Sequence, residues 1–170
     1  MTAESYFITQ KQIEKSNRKL VSQLKKDFEN LASSLKQRKI EIDKIVQKVR
    51  AFKVAIPSWG MVTGGTRFGK FPIPGLPRNI FEKIDDAATV YQLTRANPTI
   101  SLHYPWDKVA DPQALRQHAK KLGMTFDAMN SNTFEDQPGQ KYSYKFGSLS
   151  HTEKAVRDQA IAHNLEVIEF

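Results

Sequence analysis

The stretch NPTISLHYPWDKVADPQALRQHAKKLGMTFDAMN, residues 97–130, decides the fold that the sequence predicts. Its first part has the alternating apolar residues of a strand: Ile100, Leu102 and Tyr104. Asp111-Pro112 has the order of a helix N-cap and first helical residue, and Gly123 stands where a C-terminal cap belongs. Residues 124–129 predict the next strand. A strand–helix–strand unit of this kind indicates parallel strands joined by a right-handed crossover.

The sequence before this stretch extends the alternation of strands and helices. Residues 52–56 alternate apolar side chains with Lys53 and Ala55, which predicts a strand. A long Gly- and Pro-rich loop, residues 60–77, follows it. Asn79 and Glu82 then have the spacing of a capping box, which predicts the start of a helix.

The sequence after this stretch predicts one last helix. Ser150 and Glu153 have the spacing of a second capping box, with helix from Thr152 onward. Residues 165–170 fit a strand as well, because two apolar residues alternate with glutamates there. We favour helix, because the apolar residues continue the 3.6-residue period.

The order of elements predicts an α/β protein: N-terminal helices followed by three βα units, the first part of a TIM (β/α)8 barrel. We divide the chain into an N-terminal helical region, residues 1–51, and a partial barrel truncated at Phe170, residues 52–170. An open sheet of three strands would leave both outer edges unpaired. This favours the barrel over the alternative, a small flavodoxin-like domain.

Most of the positive charge lies in the N-terminal helical region. The chain has a net charge of +8, and residues 1–53 hold 13 Lys and Arg against 6 Asp and Glu. An apolar stripe runs along the predicted helix between the basic residues: Leu20, Leu24, Phe28, Leu31 and Leu35. One interpretation is an arm that binds nucleic acid or a membrane surface. We favour a solvated helix face packed on its own domain or a partner subunit, because the charges do not cluster with aromatic residues.

Composition excludes several classes of protein. The 170-residue chain has no cysteine, which excludes disulfides, zinc–thiolate sites and a cysteine nucleophile. No apolar run approaches the roughly 18 residues of a membrane helix. The first ten residues lack the apolar core of a secretory signal, so we expect a cytoplasmic protein without a membrane partner.

The candidate site lies at the carboxyl ends of the predicted strands, where parallel α/β folds bind ligands. Both tryptophans of the chain, Trp59 and Trp106, fall there, and Phe134 follows the third strand. Aromatic faces of this kind pack against the C–H faces of a sugar ring, and ordinary core filling is the alternative. His103 is the candidate general acid or base, because its pKa suits proton transfer at neutral pH. Asp107 is placed to orient it, to stabilise its cation or to bind substrate.

The loop 60–77 lacks the sequence motifs of a nucleotide-binding site. It lacks the Lys-Ser/Thr ending of a phosphate loop and fails the dinucleotide fingerprint. We interpret it as a mobile or subunit-contact loop, with Arg67 and Phe68 as its contact residues. The four histidines share no ligand spacing, so we assign no metal-binding residue in this chain.

Four strings carry a resemblance to a known family: IPSWGMVTGGTRFGKFP (56–72), SLHYPWD (101–107), FDAMNSNTFEDQPGQ (126–140) and YKFGSLSHT (144–152). They resemble the bacterial L-rhamnose isomerases of broad substrate range, over about the first two-fifths of such an enzyme. Leu76 is a mild departure, since we expect an acidic residue there.

The resemblance implies a (β/α)8 barrel, a homotetramer and the interconversion of aldoses and ketoses. The implied substrates are L-rhamnose and L-rhamnulose, or D-allose and D-psicose. By the resemblance, Trp59, His103 and Trp106 would line the sugar site, and Phe68 would close a neighbouring subunit's site. The resemblance supports Phe134 as an aromatic residue beside the substrate less strongly. A divalent metal pair, commonly Mn²⁺, is also implied, with its ligands beyond Phe170. We therefore expect this chain alone to be inactive.

Two other functions compete with this interpretation. One is a related TIM-barrel sugar epimerase or isomerase. The other is a non-enzymatic module whose basic helix binds nucleic acid, which predicts affinity that falls steeply with salt. We favour the sugar isomerase and expect no nucleic-acid partner.

Overall fold

The structure is a computed structural model that describes residues 8–61, 65–66, 69–70 and 74–170. Its helices are α1 (Gln10–Gln37), α2 (Ile42–Ala51), α3 (Ile80–Thr94), α4 (Pro112–Lys121) and α5 (Lys154–Glu169). Its strands are β1 (Ala55–Pro57), β2 (Gly65–Thr66), β3 (Gly69–Lys70), β4 (Thr99–His103) and β5 (Thr125–Asn130). A 3-10 turn, Ser58–Met61, follows β1 directly.

The main sheet has three parallel strands in the order β1-β4-β5. Ala55 pairs with Thr99 at one end of the sheet, and His103 pairs with Asn130 at the other. Strand β4 is central and almost wholly buried, while β1 and β5 are more exposed. The carboxyl ends of β1 and β4 therefore lie side by side at one edge of the sheet.

The predicted barrel start is wrong. The described residues form a small α/β unit of five helices and an open three-stranded parallel sheet, with β2 and β3 as a separate antiparallel pair. Alternating strands and helices specify parallel pairing, but they do not specify closure, because local periodicity is the same in an open sheet and in a barrel. The expectation that residues 52–170 form a partial barrel is corrected with it. Helix α2 ends at Ala51.

The core lies between β4 and the two helices packed beside it. Its members share near-complete burial: Ile84 and Ala88 of α3, Ile100 and Leu102 of β4, and Leu115 and Ala119 of α4. Burying an aliphatic side chain of this size stabilises the fold by about 1.5–3 kcal/mol. This packing fixes α3 beside the carboxyl end of β4.

Two of the three predicted helix starts are confirmed. Asn79 Oδ1 accepts a hydrogen bond from the Glu82 N–H at 3.1 Å, and Asp111 Oδ1 accepts one from the Ala114 N–H at 3.0 Å. The Glu82 carboxylate accepts a hydrogen bond from the backbone N–H of Arg78 rather than from that of Asn79. The second hydrogen bond of the predicted capping box is therefore absent.

The start predicted for the last helix is wrong. Helix α5 begins at Lys154, and its N-cap residue, Glu153, makes no side-chain capping bond. The helical interpretation of residues 165–169 is confirmed.

Two segments differ from the sequence pattern. The first strand covers Ala55–Pro57 instead of residues 52–56, and Phe52 is 70% exposed, because pairing with β4 begins only at Ala55. In the N-terminal helix the apolar stripe is exposed at four positions: Leu20, Leu24, Phe28 and Leu31. No helix in the described ranges is long and apolar enough to cross a membrane.

Candidate functional site

Two turns form the candidate site at the edge where β1 and β4 end. The 3-10 turn after β1 carries Ser58 and Trp59, and the turn after β4 carries Trp106 and Asp107. Because β1 and β4 are parallel neighbours, their carboxyl ends bring these two turns together. The placement agrees with the sequence prediction for Trp59, His103 and Trp106.

Aromatic rings enclose His103 on three sides. The His103 ring stacks on Trp106, with centroids 3.8 Å apart and 18° between the planes. Trp59 and Phe134 meet it edge-on, at centroid distances of 5.8 and 6.2 Å. His103 is only 2% exposed, whereas Trp59 and Trp106 are 38% and 45% exposed. The site therefore presents open aromatic surface around an enclosed imidazole.

Burial sets the protonation of His103. Desolvation is the largest effect and lowers the pKa of the imidazole below its usual 6.5, against the opposing charges of Asp107 and Glu135. Its Nδ1 atom is buried and has no hydrogen-bond partner among the described residues. His103 is therefore a neutral imidazole at pH 7, ready to exchange a proton or share a hydrogen bond.

The Asp107 carboxylate binds three groups beneath the aromatic rings. Its Oδ2 atom accepts hydrogen bonds from the Ser58 hydroxyl and, at 2.8 Å, from the His103 backbone N–H. Its Oδ1 atom lies 2.6 Å from Lys83 Nζ. The Lys83 and Asp107 side chains are 7% and 1% exposed, so this is a buried ion pair. We refer to Ser58, Lys83 and Asp107 as the buried triad.

Asp107 occupies a different place from a substrate ligand. The sequence predicted that it orients His103, stabilises the His103 cation or binds substrate. Its two carboxylate oxygens instead contact Ser58, Lys83 and the His103 backbone N–H, and the residue is 2% exposed. The carboxylate therefore holds the backbone of His103, and its predicted roles towards the imidazole and the substrate stay predictions. Arg67 and Phe68, the predicted contact residues of the loop, lie outside the described residues.

Ser58 and Lys83 were not predicted from the sequence. A signal for Lys83 exists: it lies between Ile80, Ile84 and Ala87, on the buried face of α3. A lysine at an otherwise apolar position indicates a buried ionic partner. Ser58 has no comparable signal, because serine is common in turns.

The end of β5 adds polar groups near the same edge. Asn130 pairs with His103 in the sheet, and its carbonyl accepts a hydrogen bond from the Tyr104 N–H at 2.8 Å. Asn132 is fully buried, and its Oδ1 atom has no partner among the described residues. Phe134, by contrast, is largely exposed.

The described residues provide no set of ligands for the Mn²⁺ that the resemblance implies. Among the described residues, no group of three or more His, Asp or Glu side chains is placed to hold a metal ion. A divalent metal of this kind needs several carboxylate or imidazole ligands.

Comparison with family models gave no match. The chain is similar to two curated proteins that are both named "probable sugar isomerase". It is 60% identical over 147 residues to that of Rhizobium meliloti (strain 1021), which covers 86% of this chain and 34% of the relative. It is 56% identical over 158 residues to that of Mesorhizobium japonicum, which covers 93% of this chain and 36% of the relative. The chain thus spans about a third of the length of these relatives.

Proposed function

We propose that this chain binds a monosaccharide at His103 and acts in the isomerisation of an aldose to a ketose. The observation that carries the proposal is the buried His103 imidazole held among Trp59, Trp106 and Phe134. The names of the two similar proteins support a sugar isomerase. The resemblance of the four sequence strings supports L-rhamnose as the aldose, with D-allose and D-psicose as further substrates.

The exposed aromatic surface suits one face of a pyranose ring. Trp59 and Trp106 each expose more than a third of their surface beside the enclosed imidazole. When the C–H groups of a sugar stack on an indole, apolar surface of both is buried. The sugar hydroxyls, at the rim of the pyranose ring, can still form hydrogen bonds with polar groups. Phe134 extends this surface on the far side of His103.

His103 supplies the acid–base chemistry of ring opening in this proposal. A neutral imidazole nitrogen accepts the proton of the anomeric hydroxyl as the bond between C1 and the ring oxygen breaks. The same imidazole then returns a proton to the ring oxygen, which gives the open-chain aldose. The lowered pKa of His103 keeps the imidazole neutral and able to accept that proton at pH 7.

Two further features remain proposals that follow from the resemblance alone: a divalent metal, Mn²⁺ in the first instance, and a homotetramer. A cytoplasmic location also remains a proposal, and it follows from the N-terminal sequence. A bound divalent metal would polarise the sugar oxygens for the transfer of hydrogen between C1 and C2. The described residues offer no ligand set for that metal, so the chain's own contribution is substrate binding and ring opening.

Calorimetric titration of the 170-residue chain with L-rhamnose tests the binding proposal. We expect saturable binding in the millimolar range or tighter, and loss of that binding in the double variant Trp59→Ala/Trp106→Ala. The variant Phe146→Ala changes an exposed aromatic residue on another loop and serves as the matched control. Equal heats for the wild type and the double tryptophan variant would overturn the proposal.

A turnover assay tests the second part. We expect the 170-residue chain with Mn²⁺ and L-rhamnose to form no L-rhamnulose, because its described residues hold no metal ligand set. Detectable L-rhamnulose would contradict the expected inactivity of this chain alone and would support isomerase activity directly.

A further inference from the structure

We propose that Lys83 is a positioning residue that acts through Asp107 to hold the two tryptophan-bearing turns at a fixed separation. Where it concerns sugar binding, this inference rests on the proposed function. Lys83 lies on α3, outside both turns, and its ammonium pairs with the Asp107 carboxylate, which contacts both.

The contacts of Asp107 connect the two walls of the aromatic site. Ser58, which precedes Trp59, donates its hydroxyl to Asp107 Oδ2. The backbone N–H of His103 donates to the same oxygen, at 2.8 Å, and the Asp107 N–H donates back to the His103 carbonyl, also at 2.8 Å. Asp107 Oδ2 thus accepts hydrogen bonds from the turn that follows β1 and from the last residue of β4.

Lys83 makes this arrangement possible electrostatically. A buried carboxylate needs a counter-charge, because desolvation of an isolated ion costs far more than two hydrogen bonds return. Lys83 Nζ supplies that charge to Asp107 Oδ1 at 2.6 Å. Packing of Ile84 and Ala87 against the core fixes the part of α3 from which the ammonium extends. Without Lys83, the carboxylate would be drawn toward water and away from the turns.

A simpler alternative is that the ion pair only fastens α3 to the sheet. In that case its loss would lower stability without changing the surroundings of His103. The two roles differ in their effect on the contacts of the His103 ring with Trp59 and Trp106. Loss of a positioning residue moves the indoles relative to the imidazole, whereas loss of a fastening contact leaves them in place. The ring-current shifts that the two indoles impose on the His103 ring protons therefore distinguish the roles.

The test compares Asp107→Asn, Lys83→Gln and the double variant in the 170-residue chain, with L-rhamnose as the ligand. Asp107→Asn leaves a buried ammonium facing an amide, and we expect a dissociation constant about tenfold weaker. The double variant replaces the ion pair by two neutral amides, which can hydrogen-bond to each other, and should bind within about threefold of wild type. Lys120→Gln, at an exposed position on α4, is the charge-matched control.

NMR of the His103 ring protons at a pH well above the imidazole pKa separates the possible failures. We expect Lys83→Gln to change the ring-current shifts that Trp59 and Trp106 impose on those protons, and Lys120→Gln to leave them as in wild type. If wild type binds no L-rhamnose, the proposed function fails, and changed ring-current shifts still support the positioning role. Unchanged ring-current shifts in a folded Lys83→Gln variant would overturn it. A double variant that binds as weakly as Asp107→Asn would overturn it as well.

Discussion

The imidazole of His103 and the indole of Trp106 stack with their centroids 3.8 Å apart. The two residues are three positions apart in the chain, and that separation alone does not bring their rings into contact. The turn between them is closed by two hydrogen bonds between His103 and Asp107. The stack joins a buried imidazole, 2% exposed, to an indole that is 45% exposed.

Replacement of Trp106 tests the stacked surface. We expect Trp106→Ala to weaken L-rhamnose binding at least about tenfold, because it removes apolar contact area and exposes the His103 ring to water. Trp106→Phe keeps an aromatic face and should weaken binding less. Calorimetric titration measures both. A dissociation constant for Trp106→Ala equal to that of wild type would show that the stack does not form the binding surface.

The lowered pKa of His103 predicts a pH dependence of stability. Well above pH 6.5 the imidazole is neutral in the folded and unfolded states and contributes no difference. As the pH falls below 6.5 the unfolded chain binds the proton first, so the free energy of unfolding decreases until the folded-state pKa is passed. His103→Gln removes this component. Urea unfolding between pH 8 and pH 5 should therefore show a shallower decline for that variant, and identical declines would contradict the burial effect.

The helix caps give a matched pair of variants. Asp111 accepts a capping bond from the Ala114 N–H at 3.0 Å, whereas Glu153 holds the N-cap position of α5 without a side-chain bond. We expect Asp111→Ala to lower the free energy of unfolding by about 1 kcal/mol. Glu153→Ala should change it much less. Urea denaturation at pH 7 measures both, and equal effects would show that the capping bond does not stabilise α4.

Glu166 connects α5 to the turn after β4. It accepts hydrogen bonds from the Tyr104 hydroxyl and, at 2.6 Å, from Lys108 Nζ, and the Lys108 bond is the main cause of its lowered pKa. A carboxylate with a lowered pKa stabilises the fold above its unfolded value of about 4.5 and loses that effect as the pH falls. Glu166→Gln should therefore lower the urea midpoint at pH 7 and change it little at pH 3. Glu169→Gln, on the same helix, is the control.

The sequence predicted the local elements better than their assembly. Asn79, Asp111 and Gly123 marked helix ends correctly, because capping depends on neighbours within a few residues. The barrel prediction failed because closure depends on strand pairing between distant segments. The first strand was placed too early, since the apolar alternation from Phe52 onward is not matched by pairing to β4.

The candidate site was only partly predictable for the same reason. The shared location of His103, Trp59 and Trp106 was predictable, because residues at the carboxyl ends of parallel strands lie at one edge of the sheet. The partnership of Lys83 with Asp107 joins residues 24 positions apart, and no sequence period encodes it. Asp107 was correctly placed beside His103, but its burial follows from the packing of α3.

The most direct test of the central claim follows the His103 imidazole itself by NMR during a titration of the 170-residue chain with L-rhamnose. The account predicts a saturable change in its ring nitrogen and ring proton shifts at pH 7, with the same midpoint as the calorimetric titration. The titration should have no such effect in Trp59→Ala/Trp106→Ala. Binding of L-rhamnose that leaves the His103 shifts unchanged would contradict the claim that the sugar occupies this site.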